Sequence, residues 1–69
     1  MKYNVYEVKT PLCDEDGLIL MEGERLIMIG EDQFQMIEGR CKGMEITLNP
    51  IEQGNNLKFT RSLWDGATY

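Results

Sequence analysis

Met44-Glu45-Ile46-Thr47-Leu48 alternates apolar and polar residues over its whole length, and its reading decides the fold class. A period of two marks a strand with one buried face and one wet face. Met44, Ile46 and Leu48 are therefore expected inward, with Glu45 and Thr47 outward. Leu57-Lys58-Phe59-Thr60-Arg61 repeats the pattern and sends Leu57 and Phe59 inward. Around these runs stand Gly17, Gly23, Gly30, Gly39, Gly43, Gly54 and Gly66. A helix of ordinary length would carry one of them in its interior, at about 1 kcal/mol each. Short runs rich in Val, Ile, Tyr, Phe and Thr fill the gaps, as strands do.

The remaining elements are placed from the same signals. A first strand is expected over Tyr3–Lys9, ended by Thr10-Pro11, and Leu12–Gly17 reads as an acidic turn. Leu18–Met21 and Arg25–Ile29 are expected to pair as a hairpin across Glu22-Gly23-Glu24. Phe34–Ile37 follows the turn at Glu31-Asp32; the other reading of Glu31–Glu38 is a single helical turn with Phe34 and Ile37 on one face. Asn49-Pro50 ends the Met44–Leu48 strand, and Gly54-Asn55-Asn56 is a further turn. Residues 62–69 form a weakly patterned tail in which Leu63 and Trp64 are expected to cap the core. The chain thus reads as one all-β domain over residues 1–69, a small antiparallel barrel or curled sheet of five to six short strands.

Size and composition exclude much. The chain has 69 residues and no histidine, so the usual acid–base group at neutral pH and the commonest metal ligand are both missing. A domain of this length buries only about 60% of the surface of its unfolded chain, and its core is thin. Cys13 and Cys41 form no Cys-x-x-Cys pair. They read as two reduced, partly buried thiols of a cytoplasmic protein, with a disulfide between them as the alternative. The N-terminal residues Met1–Glu7 lack the apolar segment of a secretory signal. The apolar run Leu18-Ile19-Leu20-Met21 is far too short to span a membrane.

Catalytic and metal-binding patterns fail when tested residue by residue. Asp14-Glu15-Asp16-Gly17 resembles the middle of a calcium loop, but aligning Gly17 with the required glycine puts Leu12 and Gly23 where ligands belong. Neither cysteine has a histidine to take its proton, and Ser62 lies in no nucleophile elbow. Gly39-Arg40-Cys41-Lys42-Gly43 is cationic, yet it lacks the helix start of a phosphate loop. No cofactor, metal or catalytic residue is therefore expected. Met21, Met28, Met36 and Met44 read as filler for an irregular core, with an adaptable binding face as the alternative.

In architecture the strand count and spacing resemble SH3-like barrels. Tyr3 and Tyr6 sit loosely where the peptide-binding members of that family carry aromatics, and Asp14-Glu15-Asp16 resembles their acidic loop. The Trp pair and the Pro-x-x-Tyr element of those members are absent. What the resemblance implies is an adaptor or assembly module that meets a protein partner on apolar and aromatic surface, with Tyr3, Tyr6 and Trp64 as candidates.

Charge points elsewhere. The net charge is −5, the wrong sign for direct nucleic-acid or anionic-membrane binding. Between Asp14 and Glu38 stand eight acids (Asp14, Glu15, Asp16, Glu22, Glu24, Glu31, Asp32 and Glu38) against one base, Arg25. In a simple meander the Leu12–Gly17 and Glu31-Asp32 turns would meet at one end of the sheet and gather five carboxylates. Glu22, Glu24 and Glu38 would lie at the other end beside Arg40 and Lys42. In size, charge and this acidic stretch the chain resembles small phage-encoded host-takeover proteins of the DNA-mimic type, which block HU-like nucleoid proteins. That resemblance implies a basic, DNA-binding protein as partner, the eight acids as the recognition surface, and a homodimer. The exposed edge Met44–Leu48 is a candidate for the dimer contact. A small structural subunit, active only as an oligomer, is the third class.

Overall fold

The structure is a computed structural model that describes residues 2–64, with the side chains of Lys2 and Trp64 outside that description. It is a mostly-β domain built on a five-stranded antiparallel sheet. In chain order the elements are β1 (Lys2–Val8), β2 (Leu12–Cys13), β3 (Ile19–Leu20), β4 (Arg25–Met28), β5 (Gln33–Met36), β6 (Glu45–Thr47), the helix α1 (Pro50–Asn56) and β7 (Leu57–Trp64). The sheet runs β6-β5-β4-β1-β7, and β2 and β3 form a separate two-stranded ribbon. Among the described residues β6 and β7 are both edges, so the sheet is open and no pairing closes it into a barrel.

Register follows from which residues can be buried. Residues directly opposite each other in a ladder share a face. Leu26 stands between Tyr6 and Met36, and Phe34 stands between Met28 and Ile46. This face carries the main core, where Val8, Leu26, Phe34, Met36, Ile46 and Leu57 meet Leu48 and the ribbon residues Leu12 and Leu20. The ribbon is thus the lid of the core, covering apolar surface that the sheet cannot cover alone. One residue out of phase, Val5, Ile27 and Leu63 form a second, smaller cluster on the opposite face, with Tyr3 and Ile37 against it. Leu63 does not cap the main core from a tail but lies within β7, opposite Tyr3, in this second cluster, whereas Trp64's side chain and the tail 65–69 lie outside the described residues.

Several expectations are corrected. The Leu18–Met21/Arg25–Ile29 hairpin does not form: Leu20 pairs with Leu12 and Ile19 with Cys13. The cause is local. Asp14 closes a tight turn by accepting the N–H groups of Asp16 (3.0 Å) and Leu18 (2.7 Å), which folds the chain back on Leu12-Cys13. The Glu22-Gly23-Glu24 turn instead hooks onto β1, where Val8 donates to the Glu24 carbonyl (2.8 Å) and accepts from the Gly23 N–H (2.8 Å). β4 therefore enters the sheet beside β1. The strand expected over Phe34–Ile37 does form, as β5, and the alternative helical turn over Glu31–Glu38 does not.

Met44 and Phe59 are also not inside. Met44 is 49% exposed, because β6 is the outermost strand and its inward positions are Ile46 and then Leu48. Phe59 is on the core face, opposite Tyr6, but β7 is the other edge and leaves the residue 53% exposed. Gly54-Asn55-Asn56 is not a turn but the end of the seven-residue helix α1, Pro50–Asn56. Asn49 caps it, accepting the Glu52 N–H (2.8 Å) while its amide donates to the Glu52 carboxylate (2.8 Å). None of its side chains is buried. Polar ties hold it instead: Gln53 donates to the Leu48 carbonyl (2.8 Å) and to Asp32 (3.2 Å), and Asn56 reaches the Thr10 carbonyl (3.2 Å).

Candidate functional site: the aromatic rim at the β7 edge

Three aromatic rings run from the core to the surface. Phe34 is fully buried in β5. Tyr6, half-buried in β1, meets it edge to face with centroids 5.8 Å apart and planes at 79°. Tyr6 in turn meets Phe59 at 5.8 Å and 73°. T-shaped contacts of this kind set a ring's positive edge against a negative face, worth about 0.5–1.5 kcal/mol beyond area burial. Phe59 is thus an exposed ring held in place by a chain of contacts anchored in the core. Rigid aromatics of this sort make strong interface anchors, since little side-chain entropy remains to be lost on docking.

The reason for the position is topological. β7 lies beside β1 and, among the described residues, has no strand beyond it, so an inward-pattern residue on it is covered on one side only. Lys58, Thr60 and Arg61 beside it are exposed as well. Other exposed apolar side chains are Ile19, Met21, Ile29, Met44 and Ile51. The described surface has no cleft-like pocket, so a ligand of these residues meets open surface. Among the described residues, no three side chains of metal-ligating type come together.

The eight acids fall into different environments. Asp14 is 8% exposed and is committed to its turn. Glu24 is half-buried and accepts the Met21 N–H (2.6 Å). Glu38 lies 3.4 Å from the Arg25 guanidinium, which also lies 3.6 Å from Glu7. Asp32 accepts from Gln53. Glu15, Asp16, Glu22 and Glu31 are exposed. The segment 9–24 leaves and rejoins the sheet where Val8 meets Glu24, while Glu31 and Asp32 sit in the turn at the opposite end of β4. The simple meander behind the expected five-carboxylate end is therefore not the topology. Both cysteines are free thiols; Cys13 is exposed and Cys41 is half-buried against the main core.

Of the aromatic candidates read from the sequence, Tyr6 belongs to the rim, Tyr3 packs on the opposite face, and Trp64's side chain lies outside the described residues. Phe59 was expected inside. Only knowledge that β7 is an edge strand would have marked it as surface. No protein-family model, curated protein or solved structure matches this chain.

Proposed function

We propose that this chain is a non-enzymatic adaptor or assembly module that docks a protein partner on the Tyr6–Phe59 rim. The carrying observation is an exposed phenylalanine braced edge-on against a tyrosine that is itself braced on the buried Phe34. A partner that covers this braced ring buries apolar surface while ordering little that is still mobile. An SH3-like reading of the fold goes with this proposal. The order of strand, loop with its own two-stranded ribbon, three-strand run, short helix and final strand beside the first resembles that family. A cytoplasmic setting suits two free thiols, and no described helix is long and apolar enough to cross a membrane.

A photo-crosslinking phenylalanine analogue at position 59 tests the proposal. It is expected to label one partner protein, with Phe59→Ser abolishing complex formation and leaving the fold intact. Labelling no stronger than from Ile51, an exposed apolar position on the helix, would sink it.

A second reading, an inhibitor that presents a DNA-like carboxylate surface to a basic HU-like protein, draws on the exposed Glu15, Asp16, Glu22 and Glu31. The two readings part on salt. Affinity made of charge falls steeply with ionic strength, whereas an aromatic contact changes little.

A further inference from the structure

The β7 edge offers more than one exposed ring. Val8 turns both its N–H and its C=O toward β4, to Glu24 and Gly23. In an antiparallel ladder these directions alternate along the strand, so Tyr6 does the same. Leu57 and Phe59, opposite Val8 and Tyr6, then turn their backbone groups away from β1. The Leu57 N–H is taken by the Gln53 carbonyl at the end of the helix. The backbone groups of Phe59 face past the sheet edge.

A β-bulge then arranges the side chains. Tyr6 is opposite Phe59 and Val5 is opposite Arg61, which leaves Thr60 as the extra residue, its hydroxyl donating to the Val5 carbonyl (2.9 Å). Lys58 lies opposite Glu7 and Arg61 opposite Val5, and these two β1 residues share a face. Without the bulge, Lys58 and Arg61 would lie on opposite faces of β7. With it, both cations stand on one face and Phe59 on the other.

We infer that β7 accepts an extended acidic segment of the partner protein by strand addition, alternate side chains covering Phe59 on one face and meeting Lys58 and Arg61 on the other. This rests on the docking role proposed above and names the partner's chemistry. Charge complementarity selects the occupant, because two exposed cations, Lys58 and Arg61, stand together on the face of β7 opposite Phe59, on a chain whose net charge is −5. It also disfavours a second copy. Antiparallel pairing of β7 with itself would bring Lys58 and Arg61 of one copy beside those of the other, and lysine on an edge strand is a known deterrent to such pairing. An acidic strand reverses the sign of that contact and gains backbone hydrogen bonds as well.

The probe is an end-blocked hexapeptide alternating glutamate and valine, titrated into the full chain labelled with nitrogen-15. Its controls are the same peptide with lysine for glutamate, and the acidic peptide methylated on alternate backbone nitrogens. Binding at millimolar concentration or below is expected, with shift changes centred on Phe59–Ser62 and new exchange protection at the Phe59 amide. Affinity should fall about tenfold or more in K58E/R61E, and by a smaller factor in the milder K58Q/R61Q, with amide dispersion showing both folded. Equal binding of the lysine peptide, or shifts centred on Ile19 and Met21, would overturn the inference. So would equal binding of the methylated peptide, which would leave aromatic docking standing and remove the strand pairing. Absence of any binding also overturns it, and crosslinking from position 59 then decides the docking role separately.

Discussion

Asp14 shows how much one side chain decides in a domain this small. Its carboxylate accepts two backbone N–H groups, and the residue is buried in the turn that joins β2 to β3. Asp14→Ala removes both bonds and leaves two donors to find water. A loss of about 1.5–3 kcal/mol is expected in urea denaturation, whereas Asp14→Asn, which keeps an acceptor oxygen, should lose less. In the sequence, Asp14 looks like its neighbours Glu15 and Asp16; burial alone separates them. Gly39 is a second such position. Its φ of +96° favours glycine, and a Cβ there would sit on the Glu24 carboxylate that accepts the Met21 N–H. Gly39→Ala is expected to cost about 2 kcal/mol, and Gly43→Ala, with φ +93° but open space, about 1 kcal/mol. Equal losses for the two in the same denaturation series would mean that the Glu24 contact is unimportant.

Among the elements, β6 separates what alternation can and cannot tell. Ile46 is buried between Phe34 and the rest of the main core, as its pattern predicts. Ile46→Asp should abolish the cooperative melting transition, since a charge buried there exceeds the about 3–5 kcal/mol a core of this size supplies. Met44→Lys, in phase with Ile46 but exposed, should shift stability by no more than about 0.5 kcal/mol. A matched pair of melting curves checks both. The helix was not legible because seven residues cannot display a 3.6-residue period. With Gly54 and two asparagines, its propensity is also poor. What makes it form is the Asn49 cap and the polar ties of Gln53 to Asp32 and of Asn56 to Thr10, in loops distant in sequence.

For the molecule as a whole, the question is whether recognition lives in charge or in the aromatic rim. Neutralising Glu15, Asp16, Glu22 and Glu31 to their amides removes four exposed charges and no described hydrogen bond of their side chains. On the docking proposal, crosslinking from position 59 to the partner should persist in this variant. Its melting temperature should hold or rise slightly as like-charge repulsion is relieved. Loss of the complex with the fold intact would transfer the function to the acids. Either result is informative, because the acidic stretch is plain in the sequence, whereas Phe59 has the pattern of a core residue and only its place in the sheet exposes it.

By itself the sequence determined a small β domain, the inward places of Ile46, Leu48 and Leu57 and the positions of its main strands, because burial in a sheet imposes a two-residue period that composition and glycine spacing reveal. Tertiary structure alone decided the partners of those strands. Leu20 turns to Leu12 and not to β4 because Asp14 and Val8 capture neighbouring backbone groups, and Phe59 faces solvent because β7 ends the sheet. Periodicity reports which face of a strand is apolar; which neighbour covers that face depends on contacts between residues far apart in the chain.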